Sequence, residues 1–161
     1  MDTSQILKIC EVCKSEYTPS DLNGNPHPRQ KYCSIRCERY AHFLKNRLIP
    51  EWRLKKLMSA AKNRAKVKNL AFELDIEFLM ELWEDNMEAC ALTGQEFDLT
   101  TWGQQKGQVN PHAPSIDRIE PNKGYIKSNV RLITYHMNVA LTEFGEEQFT
   151  QLARAYLAEQ V

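Results

Sequence analysis

The chain has 161 residues with 21 Lys and Arg against 21 Asp and Glu, so its formal net charge is zero. An apolar content of 42% is enough to build a folded core and excludes a largely disordered chain. No apolar run reaches the roughly 20 residues needed to span a bilayer. Residues 1–8 lack the basic flank and apolar stretch of a signal peptide. We therefore expect a soluble, cytoplasmic protein with no membrane contact.

The neutral total conceals a strong asymmetry along the chain. Residues 1–70 hold 15 basic and 6 acidic residues, a net charge of +9. Residues 71–161 hold 6 basic and 15 acidic residues, a net charge of −9. Charge asymmetry of this kind indicates an interaction surface at one end of the chain.

Four of the five cysteines form two close pairs in the first 40 residues. An odd cysteine count without an export signal argues against a disulfide framework. Each pair can present two thiolates from a single turn, and the segment between the pairs forms a loop that brings them together. Four sulfur ligands complete a tetrahedral zinc shell and leave no open position, so the predicted zinc is structural. The predicted ligands are Cys10, Cys13, Cys33 and Cys37. The alternative is four unrelated free thiols.

The surroundings of these cysteines favour a small metal-stabilised module over residues 1–45. The loop between the pairs is rich in Pro, Asn and Gly, which form turns and offer little to pack. A segment of about 45 residues without many large apolar side chains needs a metal to fold alone. Residues 30–37 resemble the second half of small treble-clef-like zinc fingers, in which the last cysteine pair opens a helix.

A basic helix is predicted within residues 46–70. Pro50 suits the start of a helix, and apolar residues from Trp52 to Ala65 recur at helical spacing. The helix should bury this stripe and present a cationic face that matches a phosphate backbone. The alternative is a solvated helix with ordinary lysines. The predicted nucleic-acid contacts are Arg53, Lys55, Lys56, Lys62, Arg64, Lys66 and Lys68.

Residues 71–161 should form the remaining domain. Asp75 is predicted to cap a helix that runs through Asn86, and a last helix over residues 146–159 should pack over the domain core. Between them, residues 98–114 are rich in Gln, Gly, Asn and Pro and are predicted to be a surface loop.

The most informative stretch is residues 114–138. Ser115 to Ile119 is a predicted strand, residues 121–124 a hairpin turn, and Tyr125 with Ile126 the return strand. Asn129 is predicted to cap a helix that begins at Val130. This order of strand, turn, strand and helix directs Asp117 and Asn138 toward one crevice.

The arrangement resembles the ββα-metal (HNH) fold of nucleases. The similarity covers roughly residues 55–158 and includes the Ser-Ile-Asp-Arg-Ile sequence at 115–119, typical of a phage and bacterial group. In this family a strand aspartate and a helix Asn or His bind one divalent cation, and an Asn at the helix start fixes the hairpin loop. Asp117, Asn138 and Asn129 match those three positions. The resemblance implies a Mg²⁺ or Mn²⁺ site that polarises a scissile phosphate.

One residue departs from the family pattern. The family's general base is a His directly after the strand aspartate, and here Arg118 stands in that place. Arginine does not deprotonate water near neutral pH, but it can clamp a phosphate oxygen bidentately. The sequence therefore leaves the proton acceptor unidentified.

Together these observations predict an α+β protein with a four-cysteine zinc finger, a basic helix and an HNH-like ββα-metal domain. The predicted function is metal-dependent cleavage of DNA phosphodiester bonds, with double-stranded DNA as partner, in a bacterial or phage-infected cell. Two alternatives remain open at this point. One is a non-catalytic DNA-binding or regulatory protein on a degenerate HNH scaffold, and the other is a zinc-dependent protein-interaction module.

Overall fold

A computed structural model of the chain describes residues 7–21, 23–25, 27–100, 109–142 and 144–160. The fold is α+β, and its described part divides into two compact units, residues 1–47 and 48–161. Residues 101–108, within the loop predicted over 98–114, lie outside the described residues. None of the described helices is both long and apolar enough to cross a membrane.

The described residues of the first unit form a short hairpin and one helix. Strands β1 (Lys8–Ile9) and β2 (Glu16–Tyr17) pair antiparallel, and helix α1 spans Ile35–Asn46. Ser34 caps α1 by accepting a hydrogen bond from the backbone N–H of Cys37, at 3.3 Å. A serine at this position satisfies one of the amide groups that the first helical turn leaves unpaired.

The described residues of the second unit form four α-helices, one short 3-10 helix and a second two-stranded sheet. Its elements are α2 (Pro50–Lys68), α3 (Ile76–Asp85), β3 (Pro114–Arg118), β4 (Val130–Thr134), α4 (Tyr135–Leu141) and α5 (Gly145–Ala158). Pro50 occupies the first turn of α2, and Asp75 caps α3 by accepting from the Phe78 amide at 2.8 Å, both as predicted. Helix α2, which the sequence suggested as a segment of its own, contributes Leu54, Ala61 and Ala65 to the core of this unit.

The predicted helix at Val130 is wrong, because Val130–Thr134 is strand β4. It pairs antiparallel with β3, with Asp117 opposite Arg131. Asn129 therefore ends a 3-10 turn before a strand and does not cap a helix. The return strand predicted at Tyr125 and Ile126 is also wrong, since Tyr125 forms only an isolated parallel bridge to Phe72.

The β3–β4 hairpin lies between two groups of buried side chains. Ile116, Val130 and Leu132 pack with residues of α2 and α3, whereas Ile133 packs with Cys90 and with α4. Alternation along the strands puts Asp117 and Arg131 on the face opposite Ile116 and Leu132, which is the face of α4. The hairpin thus carries its polar pair toward the helix that follows it.

Helix α5 lies where the sequence predicted a last helix, but its apolar side chains are more exposed than expected for a helix packed over the core. It has no buried residue, and Leu152, Tyr156 and Leu157 are all more than 60% exposed. Among its apolar residues, Phe149 packs against the Cys90–Ile133 group. The predicted packing of this helix over the domain core is therefore confirmed at Phe149, while its other large apolar side chains are exposed.

Candidate functional site

The four predicted zinc ligands converge in the first unit. Their Sγ atoms all lie within 4.8 Å of one another. The Sγ of Cys33 is 3.5 Å from that of Cys13 and 3.6 Å from that of Cys37. Sulfur atoms about 2.3 Å from a tetrahedral zinc lie about 3.8 Å apart, whereas a disulfide joins them at about 2.05 Å. The cluster is therefore placed to hold a metal ion, in a geometry compatible with zinc.

Local structure explains how the two pairs meet. Cys10 and Cys13 lie on the turn between β1 and β2, where Lys14 adopts a left-handed conformation with φ of +64°. This turn is closed by a hydrogen bond from Cys10 N–H to Ser15 O at 2.9 Å. Cys33 and Cys37 flank the start of α1. A turn and a helix start both direct backbone N–H groups toward nearby sulfurs, which stabilises thiolates.

The thiol pKa values of Cys10 and Cys33 are shifted in opposite directions. Burial acts to raise the pKa of Cys10, but hydrogen bonds from the backbone of Cys13, Cys33 and Val12 outweigh it and lower this pKa to about 6. Hydrogen bonds with Cys13 and Cys37 raise the pKa of Cys33 to about 12. Four adjacent sulfurs cannot all carry negative charge without a compensating positive ion.

In the second unit, Asp117 and Asn138 line one open cavity of about 880 Å³. Arg64 and Lys68 reach it from α2, and Arg118 reaches it from the end of β3. Among the described residues that line the cavity, three side chains are thus basic and only Asp117 is acidic. The structure brings together Asp117, Asn138 and Arg118, which the sequence placed in one site.

Asp117 is held by an ion pair that the sequence analysis missed. Its Oδ2 accepts a hydrogen bond from Arg131 Nε at 2.8 Å, and both side chains are largely buried, at 12% and 16% exposure. Arg131 Nη1 donates to Glu146 Oε2 at the start of α5, also at 2.8 Å. This network fixes one oxygen of Asp117 and leaves Oδ1 for a ligand. Recognising β4 as a strand would have revealed Arg131, because the register puts it opposite Asp117.

Asn138 is the fourth residue of α4, whereas the helix predicted to begin at Val130 would have put it in the third turn. Its Nδ2 donates to Ser115 Oγ at 2.7 Å and to Ile116 O at 3.4 Å. These bonds hold α4 to β3 through the amide nitrogen of Asn138. Carboxylate and amide oxygens are suitable ligands for Mg²⁺ or Mn²⁺.

Asn129 is 3% exposed, and its side chain holds the loop that follows β3 by hydrogen bonds to the loop backbone. Its Oδ1 accepts from Glu120 N–H, and its Nδ2 donates to the carbonyl oxygens of Glu120 and Gly124, each at 2.9 Å. The side chain thus satisfies three backbone groups of one loop. Asn129 is not among the described residues that line the cavity, but the loop that it holds includes Pro121 and Asn122, which do line it.

Replacing Asn129 with Ala should therefore destabilise the second unit. The change leaves buried backbone groups without partners, and we expect a loss of roughly 2–4 kcal/mol in the free energy of unfolding. Urea denaturation followed by tryptophan fluorescence measures this loss. The matched control is Asn122→Ala in the same loop, which is exposed and should unfold near the wild-type midpoint. Equal midpoints for the two variants would contradict the role of Asn129.

The basic residues predicted on α2 do not form a single face. Arg53 was predicted to contact nucleic acid, but it is only 3% exposed, and burial lowers the pKa of its guanidinium to about 10. It shares the buried side of α2 because it stands one turn before Leu57, which packs against the core. The other six predicted residues are exposed: Lys55, Lys56, Lys62, Arg64, Lys66 and Lys68.

The two histidines of the second unit lie together outside the cavity. His112 and His136 pack edge to face with their ring centroids 5.2 Å apart. His112 Nδ1 is 2.8 Å from Gln95 Nε2, and His136 Nδ1 is 2.6 Å from Pro111 O. No histidine is among the described residues that line the cavity, so the site contains no imidazole base in this part of the chain.

Comparisons with protein-family models, with curated proteins and with solved structures give no match to this chain. The functional assignment therefore depends on the residues and geometry described above.

Proposed function

We propose that the chain is a DNA-binding, metal-dependent endonuclease with an HNH-like catalytic domain and a structural zinc finger. One observation carries the proposal: Asp117 and Asn138 share a cavity with Arg64, Lys68 and Arg118. A carboxylate and an amide supply oxygen ligands for a divalent cation, and three basic side chains beside them suit a polyanionic substrate. A phosphodiester suits this site because its oxygens can contact both the cation and the basic side chains.

The first unit is proposed to bind zinc through all four cysteines. The sulfur separations of 3.5 and 3.6 Å and the all-sulfur donor set support Zn²⁺ over Mg²⁺ or Ca²⁺, which prefer oxygen. Because four thiolates complete the shell, this zinc has no open position for a substrate. Its role is to hold the hairpin turn against the start of α1.

In the second unit, the chain's own residues would bind and orient the scissile phosphate. Arg118 and Arg64 would hold phosphate oxygens, and Asp117 Oδ1 with Asn138 Oδ1 would hold a divalent cation beside them. The cation, when bound, supplies positive charge that polarises the phosphoryl group and stabilises the leaving oxygen. Arg131 holds the other oxygen of this carboxylate, Oδ2, by a hydrogen bond of 2.8 Å.

The DNA-binding surface is proposed to extend along α2. Lys55, Lys62 and Lys66 are exposed on this helix, at one edge of its buried stripe, and Lys55 is paired with Glu51. Lysines of this kind contact phosphates without reading bases, so binding should be tight at low salt and weak at high salt. The net charge of +9 over residues 1–70 supports this role.

A second candidate is a DNA-binding or regulatory protein that does not cleave. It is favoured by the absence of an imidazole among the described cavity residues and by Arg118 at the position of the family's general base. It is also favoured by the ion pair with Arg131, which competes with a cation for Asp117.

Incubation with supercoiled plasmid separates the two candidates. An endonuclease should convert the plasmid to the nicked or linear form with Mg²⁺ or Mn²⁺, but not without an added divalent cation. No conversion with either metal, combined with salt-sensitive DNA binding in a gel-shift assay, would reject the enzyme and support the regulatory protein.

A further inference from the structure

Tyr125 contacts two of the three basic residues of the cavity. Its side chain is 4% exposed, and the guanidinium carbons of Arg64 and Arg118 lie 5.7 and 5.0 Å from the ring centroid. Arg64 Nε also donates a hydrogen bond to the Tyr125 hydroxyl at 2.9 Å. Arg64 belongs to α2 and Arg118 to β3, so one aromatic side chain links basic groups from two separate elements.

Two hydrogen bonds also hold the backbone of Tyr125 in place. Tyr125 N–H donates to Ala71 O, and Tyr125 O accepts from Glu73 N–H, both at 2.9 Å. Gly124, with φ of +81°, permits this close crossing, since a Cβ there would stand 2.6 Å from Ala71 O. The loop after β3 is therefore joined directly to the segment after α2, and the spacing between the two arginines is set by this junction.

The positive charge of this cluster is not balanced within the cavity. Its one acidic side chain among the described residues, Asp117, is already paired with Arg131. Arg118 donates to the carbonyl oxygen of Pro121, which leaves its other terminal nitrogen for a ligand. Arg64 uses Nε for the Tyr125 hydroxyl, so its terminal nitrogens can donate to an anion. Like charges held together near a cavity favour a bound anion.

We propose that Arg64 and Arg118 form a two-arginine clamp for the phosphodiester backbone and that Tyr125 is the residue that positions it. Guanidinium groups suit this ligand because they donate two parallel hydrogen bonds to phosphate oxygens. Cation–π contact with Tyr125 orients both groups before the substrate arrives, which reduces the entropy cost of binding. The identity of the ligand as nucleic acid rests on the proposed function.

The test measures binding of a fluorescein-labelled DNA duplex by anisotropy, without added divalent cation and over a range of salt concentrations. Arg64→Gln and Arg118→Gln should each weaken binding about tenfold and reduce the salt slope by about one. Arg154→Gln is the matched control, because Arg154 is exposed on α5 and does not line the cavity. It should leave the affinity and the salt slope at their wild-type values.

Tyr125→Phe isolates the positioning role, because it removes only the hydroxyl that binds Arg64. It should weaken binding in the wild-type background, with no further loss in an Arg64→Gln background. An equal loss in both backgrounds, or wild-type salt slopes for both arginine variants, would overturn the clamp. A wild-type urea midpoint for Tyr125→Phe excludes unfolding as the cause. If unfolding does occur, the exposed Arg64 variant still decides the question.

The clamp and the nuclease can fail separately. A plasmid that stays intact while the arginine variants lose affinity would reject cleavage and keep the clamp. Nicking by wild type, with arginine variants that bind the duplex as tightly as wild type does, would keep cleavage and reject the clamp.

Inorganic phosphate serves as the competing probe. Displacement of the duplex by phosphate, at an ionic strength where chloride has no effect, is expected of the clamp and should be lost in both arginine variants. Phosphate binding that both arginine substitutions abolish, with duplex affinity left at the wild-type value, would assign the cluster to free phosphate and overturn a backbone clamp.

Discussion

Removing the metal from the four-cysteine cluster is expected to unfold the first unit and leave the second unit folded. Hydrogen exchange read by mass spectrometry resolves the two, because peptides from residues 7–47 and 48–160 are measured separately. After treatment with a strong zinc chelator, amides in residues 7–47 should exchange at the rate of an unfolded chain. Peptides from α2, α3 and the β3–β4 hairpin should keep their protection.

This large expected effect follows from how few of the described residues of the first unit are buried. Within its described residues, Cys10 and Pro19 are the only buried residues, and α1 contributes none. The hairpin has only two residues in each strand. Little apolar area is removed from water, so it cannot offset the conformational entropy lost on folding. Metal–thiolate bonds are the interactions strong enough to do so.

Cysteine variants provide the controls for this prediction. Cys37→Ser should lower the bound zinc well below one per chain and expose residues 7–47 to exchange. Cys90→Ala removes a thiol of the second unit, which lies outside the cluster, and should keep one zinc per chain. Protection of residues 7–47 that survives both chelation and Cys37→Ser would mean that the four thiols have no structural metal.

Several helices could be predicted from the sequence because their signals are local. The apolar spacing and Pro50 indicated α2, and the Asp75 cap indicated α3. The cysteine spacing indicated the cluster for the same reason, since short pairs on turns need little tertiary information. Arg53 was misplaced because its charge suggested exposure, although its position one turn before Leu57 puts it on the buried side.

Strand β4 could not be predicted so readily, because its pattern results from tertiary packing. Leu132 and Ile133 are both fully buried, since the hairpin lies between two groups of buried side chains. Simple alternation is therefore lost, and the segment looks as apolar as a buried helix. Asn129 added a false helix signal, although its side chain satisfies loop backbone groups 5 and 9 positions away.

The same error concealed the partners of the candidate active site. Because residues 130–134 were predicted to form a helix, no strand pairing placed Arg131 opposite Asp117. Tyr125, which the sequence put in a return strand, likewise gave no functional signal, because an aromatic residue in a strand is more often part of a core. Its position between Arg64 and Arg118 depends on long-range packing of α2 against the hairpin, which no local pattern encodes.

Replacing Asp117 with Asn is expected to abolish plasmid nicking. The change removes the negative charge that would hold a divalent cation but keeps the shape of the side chain and an oxygen that can accept from Arg131. Loss of an outer-shell partner costs metal sites about 10–100-fold, so loss of the ligand itself should lower the nicking rate at least about 100-fold. Asn138→Ala should act in the same direction. Plasmid conversion at several Mn²⁺ concentrations measures both effects.

Asp85→Asn is the matched control, because Asp85 is an exposed carboxylate at the end of α3 and does not line the cavity. It should nick plasmid at the wild-type rate. Electron paramagnetic resonance of free Mn²⁺ adds a readout independent of cleavage. Wild type and Asp85→Asn should take up one ion per chain that Asp117→Asn does not take up. Nicking by Asp117→Asn at the wild-type rate would place the activity elsewhere in the chain or in a contaminant, because an ion held by Asp117 cannot survive loss of that charge unchanged.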